Sequence, residues 1–378
     1  MSIGKFAKVV FCVPGIFFLS TAALWAATPA QSGGIPGAVY AMTNQTTGNS
    51  IMAFNRAPSG VLTLKGTFPT GGLGFGSGND PLGSQGSLVL SSDGAFLFAV
   101  NAGSDSISVM RVGRSGLTMV NTVASGGTEP VSLALFKNLL YVLNAGGTPN
   151  ITGFGLAPDG TLSQLPGSAR GLAGGSSAAP AQVGFSPDGS FIVVTEKGTN
   201  LIDTYRVMSN GLTQGPYSNP SSGATPFGFI FARSNTLVVS EAGGGANGTS
   251  AVSSYQIMPN GTLLTISGSV GDTQMGACWA VSTNNGGFVY VSNSASNTLS
   301  AYTVSPGGSL TLMNATAGNT GSGTVPIDMA MSSSSLYLYA LDDATGQISG
   351  YRVQPNGTLT PISGASGLPS GSQGIAAQ

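Results

Sequence analysis

One short motif recurs seven times along this chain, and it constrains the fold more than any other feature. It reads PSGVLTL, RSGLTMV, PDGTLSQL, SNGLTQG, PNGTLLTI, GGSLTLM and PNGTLTPI. Its glycines are Gly60, Gly116, Gly160, Gly211, Gly261, Gly308 and Gly357, with gaps of 56, 44, 51, 50, 47 and 49 residues. A second column precedes each copy: YAMTN, FAVNA, YVLNA, VVTEK, VVSEA, YVSNS and YALDD. An alternating run lies between the two columns, for example SISVMRV and LIDTYRV, and a fourth run such as SLVLSSDG opens most repeats. Each run is short, rich in Val, Ile, Tyr and Phe, and alternates with period two, which is strand patterning. Asn-Gly and Asp-Gly pairs separate many of them, and these dipeptides accept the positive φ of tight hairpins. Four strands in about 50 residues, repeated seven times, predict an all-β fold: a seven-bladed β-propeller with four antiparallel strands per blade.

The two ends of the repeat region are complementary. The first copy lacks an opening strand before Val39, while SQGIAAQ near residue 378 is similar to the SQGSLVL that opens the second copy at Ser84. Residues 373–377 are therefore predicted to close the ring as the innermost strand of the blade begun by residues 38–68, removing a free sheet edge. The propeller domain is assigned to residues 31–378. Residues 1–30 read as a secretory signal peptide: Lys5 and Lys8, an apolar run from Val9 to Ala23, and small residues between Ala26 and Ala30 for cleavage. The expected location is thus secreted or periplasmic, with a retained membrane anchor as the alternative. Removal of Cys12 with this segment leaves Cys278 as the one cysteine, so the fold must stand without an internal disulfide.

Composition narrows the chemistry. The chain has no histidine, which removes serine–histidine triads, cysteine–histidine dyads and imidazole acid–base steps. Ten Lys and Arg beyond residue 30 are too few for a phosphate-binding stripe, so nucleic acid is not an expected partner. No acidic loop has calcium-site spacing, and neither a metal nor another cofactor is expected. The candidate catalytic residues are Glu241 and Glu196, which end two second strands, and Lys197. A carboxylate near the channel mouth would activate water and a lysine would stabilise an oxyanion. Candidate ligand-binding residues at the mouth are Gln182, Ser132, Asp328 and Asp342. The competing reading of the Asn/Glu/Asp column is that polar residues at strand ends cap turns by bonding to backbone. Cys278 reads as a small buried hydrophobe, with a nucleophile as the alternative.

The segments SPDGSFIVVTEKGTNLIDTYRV, YVLNAGGTPNITGFGLAPDGTLSQL and VYVSNSASNTLSAYTVSPGGSLTL resemble the lactonase-type propellers, the 6-phosphogluconolactonase family, over residues 38–377. That resemblance implies the propeller fold and hydrolysis of sugar lactones. Most of the family's catalytic residues are absent. Ala181 stands where active members have a histidine, Asn200-Leu201 where they have Asp-Arg, and Pro226-Phe227-Gly228 where they have Pro-Arg-His. Glu241 matches the family's acidic residue. The expected function is an exported hydrolase of an unphosphorylated sugar lactone or similar cyclic ester, acting as a monomer. The alternative is a catalytically silent propeller binding a protein or glycan in the cell envelope.

Overall fold

A computed structural model describes residues 37–76 and 78–378 together with Met1. Apart from Met1, the expected signal segment lies outside the described residues. The rest forms seven antiparallel sheets in a ring. Blade 1 pairs Gly37–Met42, Ser50–Arg56 and Leu62–Pro69 with the closing strand Ile375–Ala377. Blade 2 begins at Leu88–Leu90, blade 3 at Thr128–Phe136, blade 4 at Pro180–Phe185, blade 5 at Pro226–Phe231, blade 6 at Ala277–Ser282 and blade 7 at Pro326–Met331. Ring closure is as the sequence predicts: Val39 faces Ala377, Tyr40 faces Ala376 and Ala41 faces Ile375. Arg56 adds two bonds to the Gln378 carbonyl, at 3.1 and 2.8 Å. Blade 3 differs in one detail. Its fourth strand is split into Leu162–Gln164 and Arg170–Gly171, because Pro166-Gly167 interrupts the ladder.

The structure explains why the glycine column is so regular. These glycines sit in the hairpins between third and fourth strands and adopt positive φ, for example +89° at Gly60 and +83° at Gly357. Each also lies against the preceding blade. A Cβ on Gly60 would fall 2.5 Å from the Tyr337 ring, and one on Gly357 would fall 2.4 Å from Phe288. Second-strand tyrosines complete the join. Tyr141 donates to Gly211 O, Tyr290 to Gly357 O and Tyr339 to Gly60 O, at 2.8, 2.8 and 2.6 Å. One column of the repeat is thus both a turn and a blade–blade contact.

Second strands such as Phe96–Asn101 and Tyr337–Asp342 are buried along their whole length, and the large innermost residues Leu88, Leu133, Val183, Phe229, Trp279 and Met329 are all in the core. Large residues seat against small ones: a Cβ on Gly184 would lie 2.7 Å from the Phe229 ring. The innermost strands surround a central cavity of about 560 Å³. Among the described residues, no helix is long and apolar enough to cross a membrane.

Candidate functional site

In each blade the start of the first strand lies beside the end of the second, as in the pairings Pro180–Glu196, Pro226–Glu241 and Pro326–Asp342. Both predicted groups of site residues therefore gather on one face of the ring. Their side chains, however, do different jobs.

Ser132, Gln182 and Asp328 stitch neighbouring blades together. Ser132 Oγ accepts from Val183 N of the next blade at 3.1 Å, and Gln182 Oε1 accepts from Phe229 N at 2.6 Å. Asp328 accepts from Ile375 N at 3.3 Å and from Met329 N at 2.9 Å. Register shifts beside all three positions turn these side chains across the sheet toward the neighbour. Burial pushes the Asp328 carboxyl up to about 8, against the two backbone donors. Asp342 is buried and accepts from Ser349, and burial lifts it to about 7.

Glu241 is buried. It accepts from Gly223 N at 2.8 Å, Ser253 Oγ at 2.5 Å, Ser269 Oγ at 2.6 Å and Ser221 Oγ at 3.3 Å. Glu196 is buried too and accepts from Gly174 N and Thr199 Oγ1. Both carboxylates hold the loop that leads into their own blade. Asn101 and Asn293 do comparable work at the same column position through serine hydroxyls at 2.8 Å.

Lys197 lies apart from that pattern. Its ammonium donates to the Gly83 carbonyl and sits 4.7 Å from the centre of the Phe227 ring. Phe227 in turn packs on Trp279 at 4.9 Å. Burial lowers the Lys197 pKa, while the charges of Asp80 and Glu129 oppose that shift. Burial raises Cys278 to about 12, so its sulfur is a thiol at neutral pH.

The segment that meets Lys197 is a plug over the channel, built from residues 80–86. It is bonded to several blades and to the closing segment. Asp80 N donates to Asp343 Oδ2 at 3.3 Å, and Gln373 bonds Asp80, Leu82 N and Ser84 O at 2.7, 2.8 and 3.1 Å. Trp279 Nε1 donates to Ser84 O at 2.8 Å, and Ser84 Oγ donates to Val131 O at 2.8 Å. Gln85 donates to Ala280 O at 2.8 Å and accepts from Ala280 N at 3.0 Å. It occupies the space left by Gly228, where a Cβ would lie 2.1 Å from Gln85 Oε1. Asp80, partly exposed at the rim, is lifted to about 7 by burial, opposed chiefly by Lys197 and Gln373. Asp80, Gln85 and Gln373 are not among the residues that the sequence singles out. The available signal is the first repeat gap, 56 residues against a mean of about 49.5, which accommodates the plug.

The face therefore offers a carboxyl poised near neutrality and a half-buried ammonium within range of each other's charge, with Glu129 and an aromatic wall nearby. The family described as "Lactonase, 7-bladed beta-propeller" matches residues 88–373. No curated protein sequence matches the chain. Among solved structures, a Lactobacillus plantarum protein superposes with a TM-score of 0.71 at 18% identity, covering 90% of this chain and 98% of its own. The periplasmic gluconolactonase of Pseudomonas aeruginosa gives 0.66 at 18% identity, with 90% and 99% coverage. These likenesses are of fold. The match over residues 88–373, on a ring of seven four-stranded blades, places the chain in the seven-bladed β-propeller lactonase family.

Proposed function

We propose that this protein hydrolyses an unphosphorylated sugar lactone or similar cyclic ester at the plugged mouth of the propeller. The observation that carries this reading is that the Lys197 ammonium donates to Gly83 O on the same short plug segment that carries Asp80, where burial shifts both groups and the charge of each opposes the other's shift. The ionised Asp80 carboxylate takes a proton from water as the water oxygen attacks the lactone carbonyl. The resulting oxyanion develops near the Lys197 ammonium, whose charge stabilises it. Collapse breaks the ring C–O bond, and the proton on Asp80 passes to the leaving alkoxide to give the open hydroxy acid. The absence of arginine at Asn200-Leu201 and Phe227-Gly228 supports a substrate without a phosphate. Export through residues 1–30 belongs to the same reading.

The test is hydrolysis of δ-gluconolactone, with and without a 6-phosphate, scored as excess over the spontaneous rate. Asp80→Asn and Lys197→Met should each remove that excess while the fold remains. Glu241→Gln separates the two carboxylates: loss of activity there with full activity in Asp80→Asn would move the base to Glu241. A second reading, a silent propeller that binds a protein or glycan, is favoured by Leu73 and Phe75, which are 42% and 45% exposed on the loop before the plug. No excess with either substrate would favour it.

A further inference from the structure

Four blades place a serine of the third strand two residues beyond the partner of the polar residue that ends the second strand. Asn101 donates to Ser108 and Asn293 to Ser300, while Glu241 accepts from Ser253 and Asp342 from Ser349. Blade 4 breaks this rule. Glu196 pairs with Leu201, so the corresponding position is Asp203. Two fully buried carboxyl groups therefore stand where other blades put an acceptor beside a hydroxyl, or an amide beside one.

Their remaining contacts show how they are used. The consecutive amides of Ala173 and Gly174 donate to Asp203 Oδ2 at 2.8 Å and to both Glu196 oxygens at 3.1 Å. Thr199 Oγ1 donates to Glu196 Oε2. Asp203 Oδ1 is buried without any donor. Two adjacent carboxylates without a cation repel strongly in such a place, and an orphaned buried oxygen is costly. One proton between the groups removes both problems, since a carboxylic acid donates where a carboxylate cannot.

We infer that Asp203 keeps a proton that it shares with Glu196 as a hydrogen bond, and that the two side chains form a proton-dependent latch on the mouth loops 172–174 and 197–200. The same loops are joined by Gly198 N to Ala178 O at 2.9 Å and Lys197 N to Ala179 O at 3.2 Å, so the latch bears on the residue that carries the ammonium. Tyr205 is the other titratable side chain facing the pair. Its hydroxyl lies 3.0 Å from Gly171 O and 3.4 Å from Asp203 Oδ2, to either of which it donates, and it stays neutral because burial and both carboxyl groups raise its pKa. Loop 172–179 and strand Pro180–Phe185 carry no titratable side chain. On strand Thr213–Pro220 the titratable side chain is Tyr217, which lies against Gly261 of the next blade. Arg170 turns to the carbonyls of Gly167, Ala169 and Thr213, and Lys197 turns to Gly83. Burial and Glu196 together lift Asp203 to about 7 from 3.8. The latch is accordingly whole at acidic pH and weakens as the pH rises through neutrality. This inference does not depend on lactone hydrolysis.

The test is thermal and urea unfolding of the full chain, wild type against Asp203→Ser and Asp203→Asn, between pH 4.5 and 8.5. Serine restores the hydroxyl of the other blades, and asparagine keeps the shape while donating to Glu196 without a titratable proton. Relative to wild type, each variant should gain stability as pH rises, with up to a tenfold change in the folding constant per pH unit below about pH 7. In wild type alone, hydrogen-exchange protection of the Ala173 and Gly174 amides should fall over the same interval. A variant-minus-wild-type difference that stays flat with pH, together with wild-type protection of those two amides that does not change across the interval, would overturn the shared proton. If Asp203→Ser does not fold, the Asp203→Asn comparison and the wild-type exchange profile decide the matter by themselves.

Discussion

Gln85→Ala should cost more than its position in a connecting segment suggests. The side chain is buried and acts as a short piece of extra strand on the innermost edge of blade 6, giving one bond to Ala280 O and taking one from Ala280 N. Truncation leaves a buried carbonyl and a buried amide without partners, at about 1–3 kcal/mol for each group. The upper end would apply in a sealed core. Here Gln85 also lines the 560 Å³ channel, so water from that side can reach Ala280 and the lower end is the better guide. We expect a total loss of about 2–4 kcal/mol in urea unfolding at pH 7. Gln85→Glu is the sharper control: it keeps the volume and the acceptor but directs a carboxylate oxygen at the Ala280 carbonyl, so it should be worse at pH 8 than at pH 5. A Gln85→Ala variant within about 0.5 kcal/mol of wild type would refute the argument that the plug is bonded into the ring.

Three other outcomes follow from the geometry. Gly357→Ala meets both a φ of +83° and the Phe288 ring, and should destabilise by at least about 2 kcal/mol; Tyr290→Phe, which loses only the bond to Gly357 O, should cost about 1 kcal/mol in the same melts. Asp80, Asp328 and Asp342 have folded pKa values of about 7, 8 and 7 against 3.8, so the folded state binds more protons and stability should fall as pH rises from about 4 to 8; a melting temperature that climbs across that interval would contradict these assignments. Cys278 is buried with its thiol pushed up to about 12, so a chain lacking residues 1–30 should react with a disulfide reagent at pH 8 only on unfolding.

The ring was legible because one residue type answers to two constraints at once. Gly60, Gly160 and Gly357 must turn the chain and also admit a neighbouring ring, so the same letter returns in the same place. The closing strand was legible because SQGIAAQ keeps the pattern of an innermost strand. The site was less so. Strand register places Glu196, Glu241 and Asp342 at one face but does not say whether their oxygens meet solvent or a loop, and the deciding donors, such as Gly223 N and Ser269 Oγ, come from irregular segments and the outermost strand. Asp80 lies in a stretch without periodicity, where sequence patterning is silent; Gln85 falls inside the SQGSLVL pattern, which marks a strand opening but not the bonds its side chain makes. Lys197 could be singled out, but its setting depends on Gly83 and Phe227, which arrive from the plug and from blade 5.

The closing strand has a bearing on how the protein is made. Gln373 stands just before the Ile375–Ala377 strand and also grips Asp80, Leu82 and Ser84. The first residues of the plug are synthesised almost three hundred positions before the side chain that fastens them. During translation the early blades can pair their own strands, yet the rim around Asp80 stays unassembled until residues 373–377 emerge and dock. Completion of the circle and completion of the mouth are then one event, and a nascent or C-terminally clipped chain carries neither.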